Sequence, residues 1–262
     1  MADRSKLAGL LEGKKGLIVG VANQNSIAWG CAQACVEAGM EVAFTYQGEV
    51  MRDRVQKTTA ELNNPLLLEM DVADDAQIES VFAQLQQQWG QLDFLLHSVA
   101  FAPKAAMSNP FLETTRNDFA QALDISTYSL VGLSRAASQL MTVGGSVVTM
   151  SYYGAEKAVP GYNVMGVAKA ALEAAVRYLA VDLGRQGIRI NAVSAGAVNT
   201  LAARGVANFR DLMKITAGRS PLGRNVEMEE IANSTVFLAS DLASGVTGET
   251  IYVDAGFHVS AG

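Results

Sequence analysis

"GLIVGVANQNSIAWG", residues 16–30, passes from a short apolar run into a helix start through a loop with one glycine at each end. The run "GLIVGV" (16–21) is too short for a helix and rich in β-branched residues, so it reads as a strand. A glycine turn feeding a helix N-terminus exposes backbone amides at the positive end of the helix dipole, a setting that suits an anionic diphosphate. The common G-x-G-x-x-G spacing is absent, because only Gly20 and Gly30 frame the loop. Ser26 stands where it can cap the helix and offer its hydroxyl to a phosphate. A capped turn without ligand would carry the same residues.

Further apolar runs follow at "EVAFTY" (41–46), "LLLEMDV" (66–72), "FLLHSV" (94–99), "SVVTMS" (146–151), "IRINAVS" (188–194) and "TIYVDAG" (250–256). Most are continuously apolar, as strands covered on both faces must be. Segments of helical period lie between them, including 26–38, 75–89 and 163–185, and "EAGM" and "RQGI" supply helix-terminating glycines. Alternating strands and helices imply right-handed crossovers in a parallel sheet. The expected fold class is α/β: a single doubly wound Rossmann-like domain over 1–262, its seven-stranded parallel sheet flanked by helices. Ligands in such a sheet bind beyond the carboxyl ends of the strands, so each candidate site should follow a strand.

Composition narrows the classes. Half of the 262 residues are hydrophobic and 18% are charged, enough to bury a sizeable core. A net charge of −6 argues against a general nucleic-acid binder. The two cysteines, Cys31 and Cys35, sit one helical turn apart without a nearby histidine and read as core residues, not metal ligands or a disulfide. No secretory signal and no membrane-spanning apolar run is present, which fits a cytoplasmic protein.

The later strand exits carry further candidates. After the second, Gln47 can bind ribose hydroxyls but offers no charge to a 2′-phosphate, favouring NADH over NADPH; Arg52 and Arg54 leave that choice open. After the third, Asp71 could accept a bond from an adenine amino group, while Asp74 or Asp75 suits the helix cap better. The small residues of "HSVAFAP" after the fourth could lie against a nucleoside, and His97 reads as a hydrogen-bonded strand residue. After the fifth comes "SYYGAEKAVPGYNVMGVAK" (151–169). Residues seven apart return to nearly one helix face about 10 Å along the axis, so Tyr162 and Lys169 could face one cleft if the helix begins near 162. Pro160 and Gly161 favour that start. The slot four before the lysine holds Met165, which can neither donate a proton nor stabilise an oxyanion.

With "FTYQ", "DVADDA", "RINAVSAGAVNTLAA" and "VTGETIYVDAGF", these motifs show that the chain, from about residue 10 to its end, resembles the short-chain dehydrogenase/reductase superfamily. Within it, the chain is similar to the bacterial NADH-dependent enoyl-acyl-carrier-protein reductases of fatty-acid synthesis. The resemblance implies that Tyr162 and Lys169 are the catalytic tyrosine and lysine and Tyr152 the other active-site tyrosine. It implies cofactor contacts at Gly20, Ser26, Ile27, Gln47, Asp71, Val72, Val99 and Lys169, and at Val198, Asn199, Thr200, Leu201 and Ala202. Ala102 matches a substrate contact. Where the family usually has proline then isoleucine after "SAG", this chain has Ala197 and Val198, which loosens the turn. Ketone-reducing relatives resemble a Ser–Tyr–Lys–Asn relay; three of its four positions hold Tyr152, Met165 and Ser126 here, which disfavours that reaction.

The resemblance further implies an acyl carrier protein bearing the enoyl substrate as partner, and a homotetramer, for which the Ala-rich helix 168–184 could supply a contact. Residues 200–224 form a long insertion that could act as a substrate-binding lid. Its Arg204, Arg210, Lys214, Arg219 and Arg224 could dock an acidic carrier, or could merely solvate helix faces. Rival functions are a reductase of a ketone or other activated alkene, and a non-catalytic dinucleotide sensor.

Overall fold

The computed structural model describes residues 7–62, 65–200 and 209–260. Seven strands form one sheet: β1 (Lys15–Val19), β2 (Glu41–Tyr46), β3 (Leu66–Glu69), β4 (Phe94–His97), β5 (Gly145–Ser151), β6 (Ile188–Ala195) and β7 (Thr250–Val253). Their order is β3-β2-β1-β4-β5-β6-β7, and every pairing is parallel. The helices are α1 (Ile27–Glu37), α2 (Gly48–Thr58), α3 (Asp75–Trp89), α4 (Lys104–Ser108), α5 (Arg116–Leu123), α6 (Ser129–Ser138), α7 (Asn163–Gly184), α8 (Phe209–Arg219) and α9 (Met228–Ala239). This is the doubly wound α/β sheet that the alternation predicts. The strand order reverses between β1 and β4, which opens the crevice where ligands bind in such sheets.

The continuous apolar runs are explained by two covered faces. Successive side chains of a strand point to opposite sides. Leu17 and Val19 join Ala43, Leu95, Val147 and Ala192 in one layer, under Val81 and Leu85 of α3, Leu133 of α6 and Leu172 and Val176 of α7. Ile18 joins Phe44, Leu96, Val148 and Val193 in the other, under Trp29 of α1 and Ile231 and Val236 of α9. Each of the Val, Leu, Ile and Phe side chains among them is worth about 1.5–3 kcal/mol when fully buried. Cys31 and Cys35 are unpaired and buried in this second layer; burial pushes the Cys31 thiol up to about 12, so it serves as packing.

Several strands end earlier than the apolar runs suggest. β1 stops at Val19 because Gly20 takes φ +110. β7 stops at Val253 because Asp254 accepts the amides of Gly256 and His258, and Ala255 turns to φ +57. Gly20 sits at the switch itself. A Cβ there would lie 2.1 Å from the Ser98 carbonyl oxygen, beyond the end of β4, so both space and backbone angle require glycine. Gly30 differs, since a Cβ would meet only the flexible Met228 side chain of α9.

Gly20→Ala should therefore destabilise the fold by about 2–5 kcal/mol, from positive-φ strain plus overpacking against backbone. Gly30→Ala should stay within about 1 kcal/mol, because the helix-propensity gain offsets displacement of a methionine. Urea unfolding midpoints of the two variants check the contrast.

Candidate active site

At the end of β1, Ser26 occupies the backbone N-cap position of α1 without a side-chain cap bond. Its Oγ instead accepts from the Ala22 and Asn23 amides at 3.0 and 2.9 Å and donates to the Asn23 carbonyl. The expected role of side-chain cap is corrected accordingly: the hydroxyl closes residues 22–26 into a tight turn at the place where a phosphate contact was expected. An anion here would be met by the amides at the start of α1, where Ile27 packs partly buried on the core.

At the next two exits, Gln47 donates to the Asp71 carboxylate at 2.7 Å, and the same carboxylate accepts the Ala73 amide. Asp74, not Asp71, caps α3 by accepting from Ala76 and Gln77, as expected. Val72 packs partly buried beside them. Arg52 lies 3.5 Å from Glu49 on its own helix.

Beyond β4, His97 is fully buried, each ring nitrogen 2.8 Å from a hydroxyl, Thr149 on one side and Ser129 on the other. Burial pushes it down to about 3, so it stays neutral and structural. Val99 is half-buried, and Ala102 packs with Ala106, Ala122 and Val164. The segment is clamped by Ser126, whose hydroxyl donates to the Phe101 carbonyl and accepts the Phe101 amide. Ser126 lies in a π-helical turn, Asp124–Tyr128, between α5 and α6. From the same turn, Thr127 donates to the Ala168 carbonyl of α7, next to Lys169.

Beyond β5 the Tyr152 and Tyr162 rings meet edge to face, centroids 4.9 Å apart. Tyr162 occupies the N-cap of α7, so helical periodicity alone does not place it. Asn163, immediately after it, takes φ +38 and donates its side-chain amide to the Met107 and Asn109 carbonyls at 3.2 and 2.8 Å. Gly154 completes the seat, since a Cβ there would come within 2.5 Å of the Tyr162 ring. Lys169, 4% exposed, donates to the Met150 carbonyl at 2.7 Å. Burial lowers the ammonium to about 8, opposed by the field of Glu173. Burial holds both phenols protonated, Tyr152 pushed up to about 12 and Tyr162 further still. Met165 is 5% exposed and packs inward, leaving the near slot to the core.

Beyond β6, Ala197, Val198 and Thr200 are buried and Asn199 is exposed. The turn that alanine was expected to loosen is held by Gly196, whose amide donates to the Val253 carbonyl at 2.9 Å. Leu201, Ala202 and Arg204 lie outside the described residues, as does the side chain of Arg210. Of the other insertion cations, Arg224 is bound through both terminal nitrogens to Glu230 at 2.7 and 2.8 Å, which removes it as a free docking charge. Lys214 is exposed and stands 3.5 Å from Asp211 on its own helix, a looser pair than that of Arg224, and Arg219 is exposed.

The described candidates thus all fall at or beyond the carboxyl edge of the sheet. A dinucleotide fits this edge on two observations: the backbone cradle at Gly20 that admits no Cβ, and the Tyr152 hydroxyl, shielded from solvent with no protein partner. Lys169 has two donors beyond its bond to Met150. No cluster of three His, Cys, Asp or Glu side chains suited to a metal occurs among the described residues, and no described helix is long and apolar enough to cross a membrane. Asn163, Gly154 and Glu173 escaped the sequence reading as site residues, and Ser126 entered it only as the occupant of a relay position; the glycine preceding the expected helix and the buried-face position of Glu173 were the available hints.

The profile of the family described as Enoyl-(Acyl carrier protein) reductase matches residues 20–258. The enoyl-[acyl-carrier-protein] reductase [NADH] 1 of Rhizobium meliloti is 50% identical over 97% of this chain and 93% of its own length. The crystal structure of the enoyl-acyl carrier protein reductase of Bacillus cereus with NADP+ and an indole naphthyridinone superposes with a TM-score of 0.94 at 44% identity, covering 96% of this chain and 99% of that one. The reductase of Anaplasma phagocytophilum, in complex with NAD, gives 0.93 at 45% identity over 97% of this chain and 95% of its own. With fold, site geometry and near-full-length identity in agreement, this chain belongs to the enoyl-(acyl carrier protein) reductase family.

Proposed function

We propose that this chain is an NADH-dependent enoyl-[acyl-carrier-protein] reductase that saturates trans-2-enoyl thioesters in fatty-acid elongation. The observation that carries the residue assignment is the grouping of Tyr152, Tyr162 and Lys169 around the carboxyl end of β5, with Met165 turned into the core. Bound NADH would supply the hydride for C3 of the enoyl thioester. The protonated Tyr162 hydroxyl then donates to the thioester oxygen as negative charge builds there. Lys169 stays cationic below about pH 8 and would hold the nicotinamide ribose hydroxyls with its two remaining donors. The Tyr152 hydroxyl, which has no protein partner and whose ring meets that of Tyr162, would stand beside the same oxygen. Protonation at C2 completes the saturated chain.

Gly20, the start of α1 at Ile27, Gln47, Asp71, Val72, Val99 and the stretch from Val198 through Ala202 would hold the dinucleotide, and Ala102 the substrate. The Gln47–Asp71 pair supports NADH: at the ribose end it would present a carboxylate, not a cation, and so disfavour a 2′-phosphate. The insertion around α8 would roof the acyl chain, with exposed Lys214 and Arg219 meeting an acidic carrier. Tyr178, Val181 and Val167 stand exposed on α7 at 78%, 68% and 37%, an apolar face that supports a homotetramer built on this helix. Unpaired cysteines accord with a cytoplasmic setting.

Three outcomes follow. Nicotinamide oxidation should proceed with a crotonyl thioester and not with an acetoacetyl thioester, and kcat/KM should be about tenfold or more lower with NADPH than with NADH. Tyr162→Phe should lower kcat about a hundredfold, and a Tyr152→Phe/Tyr162→Phe double variant at the native rate would remove the assignment. Val181→Asp should lower the sedimentation mass below that of the native assembly; an unchanged mass would place the oligomer contact elsewhere.

A further inference from the structure

Glu173 is a charged group of α7 to which this chemistry gives no task. It lies one turn after Lys169 and is 8% exposed. Its Oε1 accepts a short hydrogen bond from Ser151 Oγ, on the last residue of β5. Lys169 donates to the carbonyl of Met150, one residue earlier. Two consecutive strand residues, directly ahead of Tyr152, are therefore held by a carboxylate and an ammonium spaced four apart on one helix. Burying a carboxylate is costly unless it is paired and hydrogen-bonded, and a neutral residue could have filled this volume.

We infer that Glu173 is a positioning residue of the active site: it anchors Ser151, and so the strand end that presents Tyr152, and, one turn from Lys169 on the same helix and bonded to the next strand residue, it sets a carboxylate beside the ammonium assigned to the cofactor. The inference rests on the assignment of Lys169 to the cofactor made above.

The charged and titratable groups around the pair leave this role to Glu173. Facing it are Glu156, Tyr252 of β7, Tyr162, and Arg177 on its own helix. Arg177 gives one guanidinium nitrogen to the Glu173 backbone carbonyl, and Glu156 accepts the Tyr252 hydroxyl. His97, which faces Lys169 from β4, is neutral above about pH 3 and adds no charge in the working range. Lys169 is thus lowered by burial and raised by Glu173. The sign is definite. Without the carboxylate the ammonium loses its proton at lower pH, and every interaction that needs the charge is lost at lower pH as well.

The test measures NADH affinity by nucleotide fluorescence, without substrate, across the neutral to alkaline range, together with kcat. Native affinity should weaken as pH passes about 8. Glu173→Gln should move that midpoint toward acid by about one pH unit, and Glu173→Asp should return it most of the way. Ser151→Ala keeps the carboxylate, so its midpoint should stay in place while kcat falls about tenfold with little change in KM. The proposal is overturned if Glu173→Gln keeps the native midpoint or if Ser151→Ala turns over at the native rate. Should Glu173→Gln lack a cooperative thermal transition, Glu173→Asp and Ser151→Ala decide. Lys169→Met is the control: native NADH affinity there would retire the Lys169 assignment itself, whereas weakened affinity beside a silent Glu173→Gln would retire only the role of Glu173.

Discussion

A lysine with almost no access to water ties the active site to the fold. Moving an ammonium out of solvent costs several kcal/mol even after the surroundings relax. This chain meets that cost at one point, where Lys169 sits on the Met150 carbonyl with Glu173 one turn away. The bond fixes the register of α7 against β5. Leu172 and Val176, next along the helix, then fall into the core beside Val147 and Ala192. Tyr162, at the head of the same helix, falls beside Tyr152 at the tip of the strand. Sliding the helix by one residue would unpair the ammonium and part the two tyrosines. Site and core are therefore set by one alignment.

The carboxyl edge is assembled from contacts that each join a strand exit to something distant in sequence. Ser126 holds the Phe101 backbone, Thr127 reaches the Ala168 carbonyl, and Asn163 grips the C-terminal end of α4. The π-helical turn matters to this linkage. One extra residue in a turn rotates the following side chains, so that Ser126 and Thr127 can reach two different elements. The loop over the substrate side and the helix carrying the lysine are thereby coupled through a short segment that contains no catalytic group.

Much of this was legible from the chain. Continuous apolar runs, spaced by helical segments, specify strands buried on both faces, and the helix over 75–89 matches α3 at both ends because Asp74 is an unambiguous cap and Gly90 takes a left-handed C-cap. His97 could be read as structural because a strand residue in such a run must point into a covered layer. Less was legible where a side chain had several partners of comparable quality. Ser26 is a good cap by type, yet its oxygen turns back to two loop amides, a choice settled by the loop's closure and not by the helix. The Gln47–Asp71 bond joins residues twenty-four positions apart, and nothing local announces it. Glu173 reads as one acid on a helix until Ser151 is known to lie against it.

The spacing of tyrosine and lysine is also clearer in three dimensions than by helical arithmetic. Seven residues would return to one face if both lay within a regular helix, but Tyr162 precedes the helix and the helix's first residue, Asn163, carries φ +38. A left-handed asparagine is tolerable because its short side chain bonds locally, and here it does so twice. Strain at that joint lets the phenol stand clear of the first turn while Val164 and Met165 of that turn pack inward. A tyrosine at position 165 would have to leave this packing to reach the cleft. The helix start can serve the core or present a phenol, and in this chain it serves the core, with the tyrosine at the cap. That position accords with the proposed substrate, whose hydride-accepting carbon and developing oxyanion are separated by a conjugated bond.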